Sequence, residues 1–180
     1  MRLLTNNNMK KVYQRIKDPR KGDCFKCTIC SLLELDYNDV PNFIDFGDLW
    51  FDKACELFKQ HGYELGNPFL YNPNVVFLEN PTENVYRNFD FEREQRFLLT
   101  SIKPEDGIDG LFLASVYSPK YTDPNEHPIS HLHSVICDIN FNIVFDPNPD
   151  YQNVLNYPYS RLIGYNGIRG VDTIHKFNIS

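Results

Sequence analysis

Cys24 stands where a thiol can become a nucleophile. It follows Gly22-Asp23 and opens a stretch in which Phe25, Ile29, Leu32 and Leu33 recur at helical spacing. The spacing predicts a helix from Cys24 to Leu35, with Asp23 at the N-cap position. A thiol at a helix start meets the positive end of the macrodipole and N–H groups that lack an intrahelical partner, and both favour the thiolate. A free cysteine ionises near pH ~8.5; a site of this kind lowers that value, and the thiolate attacks acyl carbon at neutral pH.

A nucleophile of this kind works with a proton carrier, and His133 is placed to be one. It opens His133–Ile139, which reads as a strand; Asn140–Asn142 supply a turn, and Ile143–Asp146 return as a second strand before Pro147. If Asp138 pairs with Ile143, Val135 faces Asp146 and His133 faces Asn148. His133 and Asp146 then become diagonal neighbours on one sheet face, ~7–8 Å apart between Cα atoms, close enough for the carboxylate to hold the imidazole. A register slipped by one residue puts them on opposite faces.

These residues resemble a known group. Gly22-Asp23-Cys24, Cys27-Thr28-Ile29-Cys30-Ser31-Leu32-Leu33-Glu34-Leu35 and Val40-Pro41-Asn42-Phe43 are similar to a Gly-Asn-Cys, leucine-rich helix, Val-Pro-His-Phe pattern of phage and bacterial proteins. His133-Ser134-Val135-Ile136 and Ile143-Val144-Phe145-Asp146-Pro147-Asn148-Pro149 resemble that group's His-Ala-Val-Val and His-Asp-Pro-His-Pro stretches. In fold the group is similar to papain-like cysteine peptidases, bacteriocin-leader peptidases in particular. This chain differs in having Asp23 for Asn, and Asn42 and Asn148 for histidine.

The resemblance implies a triad of Cys24, His133 and Asp146, with Asn148 as the alternative orienter of the imidazole. It also calls for an oxyanion donor upstream of the nucleophile, commonly a Gln. Gln14 is the candidate, and the Cys24 main-chain N–H is the other donor. The implied activity is hydrolysis of an amide, peptide or isopeptide bond through a thioester, on a peptide or protein substrate, with no metal or organic cofactor. Acyl transfer of a transglutaminase-like kind on the same triad is the alternative enzyme. A catalytically inactive papain-like binding module of phage origin, with Phe69–Phe77 as its contact surface, is the alternative outside enzymology.

Other constellations compete for the same residues. Cys24, Cys27 and Cys30 form C-x-x-C-x-x-C, a spacing found in iron–sulfur and zinc sites, but on a continuous helix the three drift around the surface, and Cys27 and Cys30 read as small core residues. His127, His131 and His133 lack a matching carboxylate spacing and are interrupted by Pro128, so they read as a surface loop running into a strand.

The elements that must position these groups indicate an α+β domain spanning 1–180, with the nucleophile-bearing helix packed on an antiparallel sheet. Residues 1–10 are expected to fray, and Val12–Ile16 to form a short strand. Asp48–His61 carries a stripe of Leu49, Ala54, Leu57 and Phe58 and ends at Gly62, which marks a second helix with a glycine cap. Residues 66–128 read as an insertion or lid-like region: Gly66–Glu83 irregular with one strand at Val75–Leu78, a helix at Glu92–Leu99, a core strand at Gly110–Tyr117 and a loop at Ser118–Pro128. A final strand is expected at Thr173–Asn178.

Composition bounds the function. With 18 Lys and Arg against 24 Asp and Glu in 180 residues, the chain carries a net charge of −6, which excludes the basic field that phosphate-backbone binding requires and sets nucleic acid aside as a partner. No apolar run reaches the ~20 residues that cross a bilayer, and Met1–Lys11 lacks an apolar leader core, so the expected location is the cytoplasm (a host's, if the chain is phage-encoded), away from membranes. Five cysteines, three of them crowded into one segment, suit a reducing compartment.

Overall fold

The computed structural model describes residues 8–18, 21–68, 103–117, 132–140, 142–151 and 168–177. Among the described residues, two α-helices, α1 (Cys24–Leu32) and α2 (Trp50–Gln60), precede strands β1 (Tyr63–Pro68), β2 (Leu111–Tyr117), β3 (Leu132–Asp138), β4 (Ile143–Phe145) and β5 (Ile168–Lys176). The strands form one sheet in the order β1-β5-β2-β3-β4, and every neighbouring pair is antiparallel. Helices on an antiparallel sheet make this an α+β fold.

The apolar spacing of α1 buries Ile29, Cys30 and Leu32 together with Leu113 of β2, Ile136 of β3, Phe145 of β4, and Ala54 and Phe58 of α2. Each large side chain so buried contributes roughly 1.5–3 kcal/mol. The alternate residues of the central strands, Phe112, Ala114, Val116, Val135, Cys137 and Val171, are buried as well. That explains why Leu111–Val116 reads as a nearly continuous apolar run rather than an alternation. The chain enters β2 through Asp109-Gly110, with φ of 52° and 78°; Ile108 and Leu111 exchange both main-chain hydrogen bonds across them. Two successive left-handed residues are what such a tight turn demands, and Asp-Gly supplies them at little cost.

Several elements differ from the sequence expectation. α1 stops at Leu32, not Leu35, because Glu34 turns left-handed (φ 56°) and Leu35 N–H bonds back to Cys30 O. Asp23 holds the N-cap position without a side-chain capping bond. α2 starts at Trp50, after a 3-10 stretch, Phe43–Leu49, broken at Gly47 (φ 56°); Leu49, expected in the buried stripe, is 55% exposed. Gly62 (φ 83°) closes α2, its N–H on Lys59 O.

Val12–Ile16 joins no strand, because its N–H groups find other acceptors: Val12 bonds Ser31 Oγ, Gln14 bonds Pro147 O, and Arg15 and Ile16 bond the Asp23 carboxylate. Met9, within the stretch expected to fray, is buried in the core. β1 occupies a stretch whose Gly66 and Pro68 argue against a strand; it is an edge strand, where Pro is tolerated. β5 begins at Ile168, ahead of the expected Thr173. The expected elements at Val75–Leu78, Glu92–Leu99 and Ser118–Pro128 lie outside the described residues, as do residues 1–7. Among the described residues, no helix is long and apolar enough to cross a membrane.

Candidate active site

α1 packs on β3 and β2, which brings its first residue, Cys24, to the strand that starts beside His133. Gly22 fixes the approach: a Cβ there would lie 2.6 Å from Asp18 O, so only glycine lets the chain cross itself just before the thiol.

The β3–β4 hairpin supplies the other two groups. Ile136 pairs with Phe145, as a hairpin closed at Asp138–Ile143 requires, but Cys137 pairs with Ile143, leaving Val144 as an extra residue between them. The cause is Asp138. Its N–H bonds Asn142 O, and its carboxylate accepts from the Asn140 and Asn142 N–H groups and from Asn142 Nδ2. The turn closes one residue early, and the irregularity at Val144 restores the register before Phe145. His133 and Asp146 therefore meet: His133 Nε2 lies 2.7 Å from Asp146 Oδ1, and both side chains are buried.

Asp146 Oδ1 also accepts from Asn148 N–H at 2.7 Å. The Asn148 side-chain oxygen accepts from Asp150 N–H. Thus the residue holding His133 Nε2 is Asp146, and Asn148 supports that carboxylate through its main chain.

With Nε2 engaged, Nδ1 is the ring nitrogen left for the thiol, and His133 and Cys24 share a side-chain hydrogen bond. Burial pushes the Cys24 thiol up, but the His133 charge, the bond to its ring and the N–H groups of Ser134 and Phe25 outweigh it, so the thiol lies below its ordinary value. Burial likewise pushes the imidazolium down, and the Cys24 charge and the Asp146 hydrogen bond outweigh that, holding His133 above its ordinary value. Both shifts favour the thiolate–imidazolium pair. The other thiols go the opposite way: burial raises Cys27, Cys30, Cys55 and Cys137, with Cys30 at about 11.

Asp23 adjoins the thiol in sequence but turns elsewhere. Its buried carboxylate accepts from Arg15 N–H and Ile16 N–H, both at 3.1 Å, and from Tyr37 OH at 2.6 Å. The Tyr37 ring in turn carries the Arg15 guanidinium and the Lys26 ammonium, each 3.7 Å from its centroid. This network ties the segment before Cys24 to the loop after α1.

Gln14 directs its side-chain amide to Ile16 O at 3.3 Å, while its main-chain N–H bonds Pro147 O at 2.8 Å. It thus anchors the N-terminal segment beside the Asp146 turn. The oxyanion donor that the helix start itself offers is the Cys24 N–H. Among the described residues, no three His, Cys, Asp or Glu side chains gather as a metal site would; His127 and His131 lie outside those residues, as does Phe69–Phe77.

Beside the thiol, the Phe25 ring packs edge-on against Phe43 at 5.3 Å and Trp50 at 5.1 Å. Trp50 is 43% exposed, and Ile44, Phe46 and Leu49, which precede it in the chain, are exposed too.

Sequence reasoning missed Ser134 and Thr28. Ser134 sends its N–H to Cys24, and its hydroxyl lies 2.9 Å from that of Thr28. The available signals were adjacency to His133 for one and the i+4 spacing from Cys24 for the other. No family model, curated protein or solved structure matches the chain.

Proposed function

We propose that this chain is a cysteine hydrolase of papain-like build that cleaves an amide, peptide or isopeptide bond. The observation that carries the reading is the continuous relay from Asp146 Oδ1 through the two His133 nitrogens to a thiol at a helix start. In the reaction, the Cys24 thiolate adds to the acyl carbon, and the oxyanion is met by the Cys24 N–H. The imidazolium gives its Nδ1 proton to the leaving nitrogen, the C–N bond breaks and a thioester remains. His133 then takes a proton from water, which attacks the thioester and releases the acid and the thiol. Asp146 holds the ring so that Nδ1 faces sulfur throughout.

The exposed apolar side chains Ile44, Phe46, Leu49 and Trp50, the last packed edge-on against the Phe25 that follows the nucleophile in sequence, favour a peptide or protein over a small amide as substrate. The test is incubation with a proteome-derived peptide library and mass spectrometry of new termini. Cleavage is expected from the native protein and is abolished in Cys24→Ala and His133→Ala. Cleavage that survives either substitution overturns the assignment. Products joined to added amine in preference to water would move the reaction to acyl transfer on the same residues.

A further inference from the structure

Thr28 lies one turn after Cys24 on α1, and its hydroxyl is 2.8 Å from Phe25 O and 3.2 Å from Cys24 O. The same oxygen is 2.9 Å from Ser134 Oγ. Thr28 is fully buried and Ser134 is 7% exposed. Each hydroxyl has one proton to give. Thr28 donates into its own helix, so Ser134 donates to Thr28. Ser134 directly follows His133, and its N–H is one of the groups that lower the Cys24 thiol. The two hydroxyls therefore join the helix that carries the thiol to the strand that carries the imidazole, within one turn and one residue of the reacting pair.

We propose that the buried Thr28–Ser134 hydroxyl pair is a positioning lock that seats the Cys24 sulfur against the His133 ring. The inference rests on the thiol–imidazole reading above. The strand that carries the imidazole is fixed in register: Ser134 pairs with Ser115 of β2, and Val116 of β2 faces His133. The distance between the thiol and the imidazole depends on how α1 is seated on β3, against which it packs. The hydroxyl pair fixes that seating where apolar packing of Ile29 and Leu32 cannot, because dispersion contacts have no preferred direction and a hydrogen bond does. The charge that bears on the thiol is that of His133, held in turn by the Asp146 carboxylate, and neither is altered by changing the hydroxyls.

The test is the pH dependence of Cys24 alkylation by iodoacetamide in Thr28→Val, Ser134→Ala and Thr28→Ser, with thermal unfolding followed alongside. Thr28→Val keeps shape and loses the acceptor; Ser134→Ala keeps the strand N–H and loses the donor, and serves if the valine variant does not fold. Loss of the lock is expected to move the alkylation midpoint up by about one pH unit, which slows labelling about tenfold at pH values below the native midpoint, while Thr28→Ser stays within about twofold of the native rate. A native protein with a low midpoint, and folded valine and alanine variants with the same midpoint, overturn the lock and leave the thiol–imidazole pair standing. An ordinary midpoint in the native protein overturns the pair and the lock with it.

Discussion

His133 Nε2 and Asn148 N–H converge on one oxygen, Oδ1 of Asp146, each at 2.7 Å. This convergence decides what substitution of Asp146 does. An asparagine there keeps a carbonyl oxygen, and the Asn148 N–H, which must have an acceptor, holds that oxygen turned toward the ring. Orientation survives and the negative charge is lost. Asp146→Asn is therefore expected to lower kcat/KM about tenfold, and Asp146→Ala, which loses both, by on the order of a hundredfold or more. Asn148→Ala retains the main-chain donor and is expected to stay within about threefold of the native rate. Steady-state kinetics on any peptide found to be cleaved checks the order, and an alanine variant as active as the asparagine variant would show that the carboxylate orients nothing.

Among the five thiols, Cys24 alone is displaced toward the thiolate; burial drives the others upward. A thiol of ordinary acidity is only ~0.3% ionised at pH 6. Brief iodoacetamide treatment at pH 6 is expected to add one carbamidomethyl group, on Cys24. The sign of the His133 shift extends the plateau: a raised imidazole stays protonated to alkaline pH, so the rate is flat from above the lowered Cys24 midpoint into the alkaline range. His133→Ala removes the compensating charge while burial remains, and its alkylation midpoint moves to the ordinary value or above. Intact mass and peptide mapping read the result, and first labelling at Cys55 or Cys137 contradicts it.

What was legible in the sequence is local chemistry. A cysteine before a 3.6-residue apolar pattern announced α1, and Asn140–Asn142 between apolar runs announced the hairpin that joins His133 to Asp146. The extra residue at Val144 was hidden because it follows from the Asp138 side chain taking three donors in the turn, a choice that strand propensity does not encode. Asp23 looked like an N-cap, since caps and buried carboxylate anchors use the same residue type at the same position. Only tertiary contact with Arg15, Ile16 and Tyr37 tells them apart. Edge strand β1 carries glycine and proline in its second half, and pairing with β5, 100 residues away in sequence, overrides their preference.

Asp23 gives a stability prediction. Asp23→Ala strands Arg15 N–H, Ile16 N–H and Tyr37 OH in a buried setting, and the loss is expected to be roughly 3 kcal/mol in urea unfolding. Asp23→Asn still accepts from Ile16 N–H through one oxygen and can donate to the Tyr37 hydroxyl, but its NH2 then faces Arg15 N–H and leaves that donor unpaired, so the loss falls only to about 2 kcal/mol. Because the carboxylate turns from the thiol, labelling of Cys24 at pH 6 should persist in the asparagine variant. An equal loss in both variants would mean that the charge, not the hydrogen bonds, holds the segment.

Asp172 of β5 is 8% exposed, and burial raises its carboxyl from 3.8 to about 7. In the unfolded chain the same group ionises near ~3.9. Between those values the folded protein keeps a proton that the unfolded chain has released. Stability accordingly falls as pH rises from about 4 to about 7, and the cost stays constant above that range. Asp172→Asn removes the titration with little change of shape. The variant is expected to match the native protein at pH 4 to within about 1 kcal/mol and to exceed it at pH 8 by on the order of a few kcal/mol. Urea midpoints across pH 4 to 8 read both arms. A variant no more stable than the native protein at pH 8 would show that the ionised carboxylate reaches water or a cation as the pH rises, and that its burial costs the fold nothing.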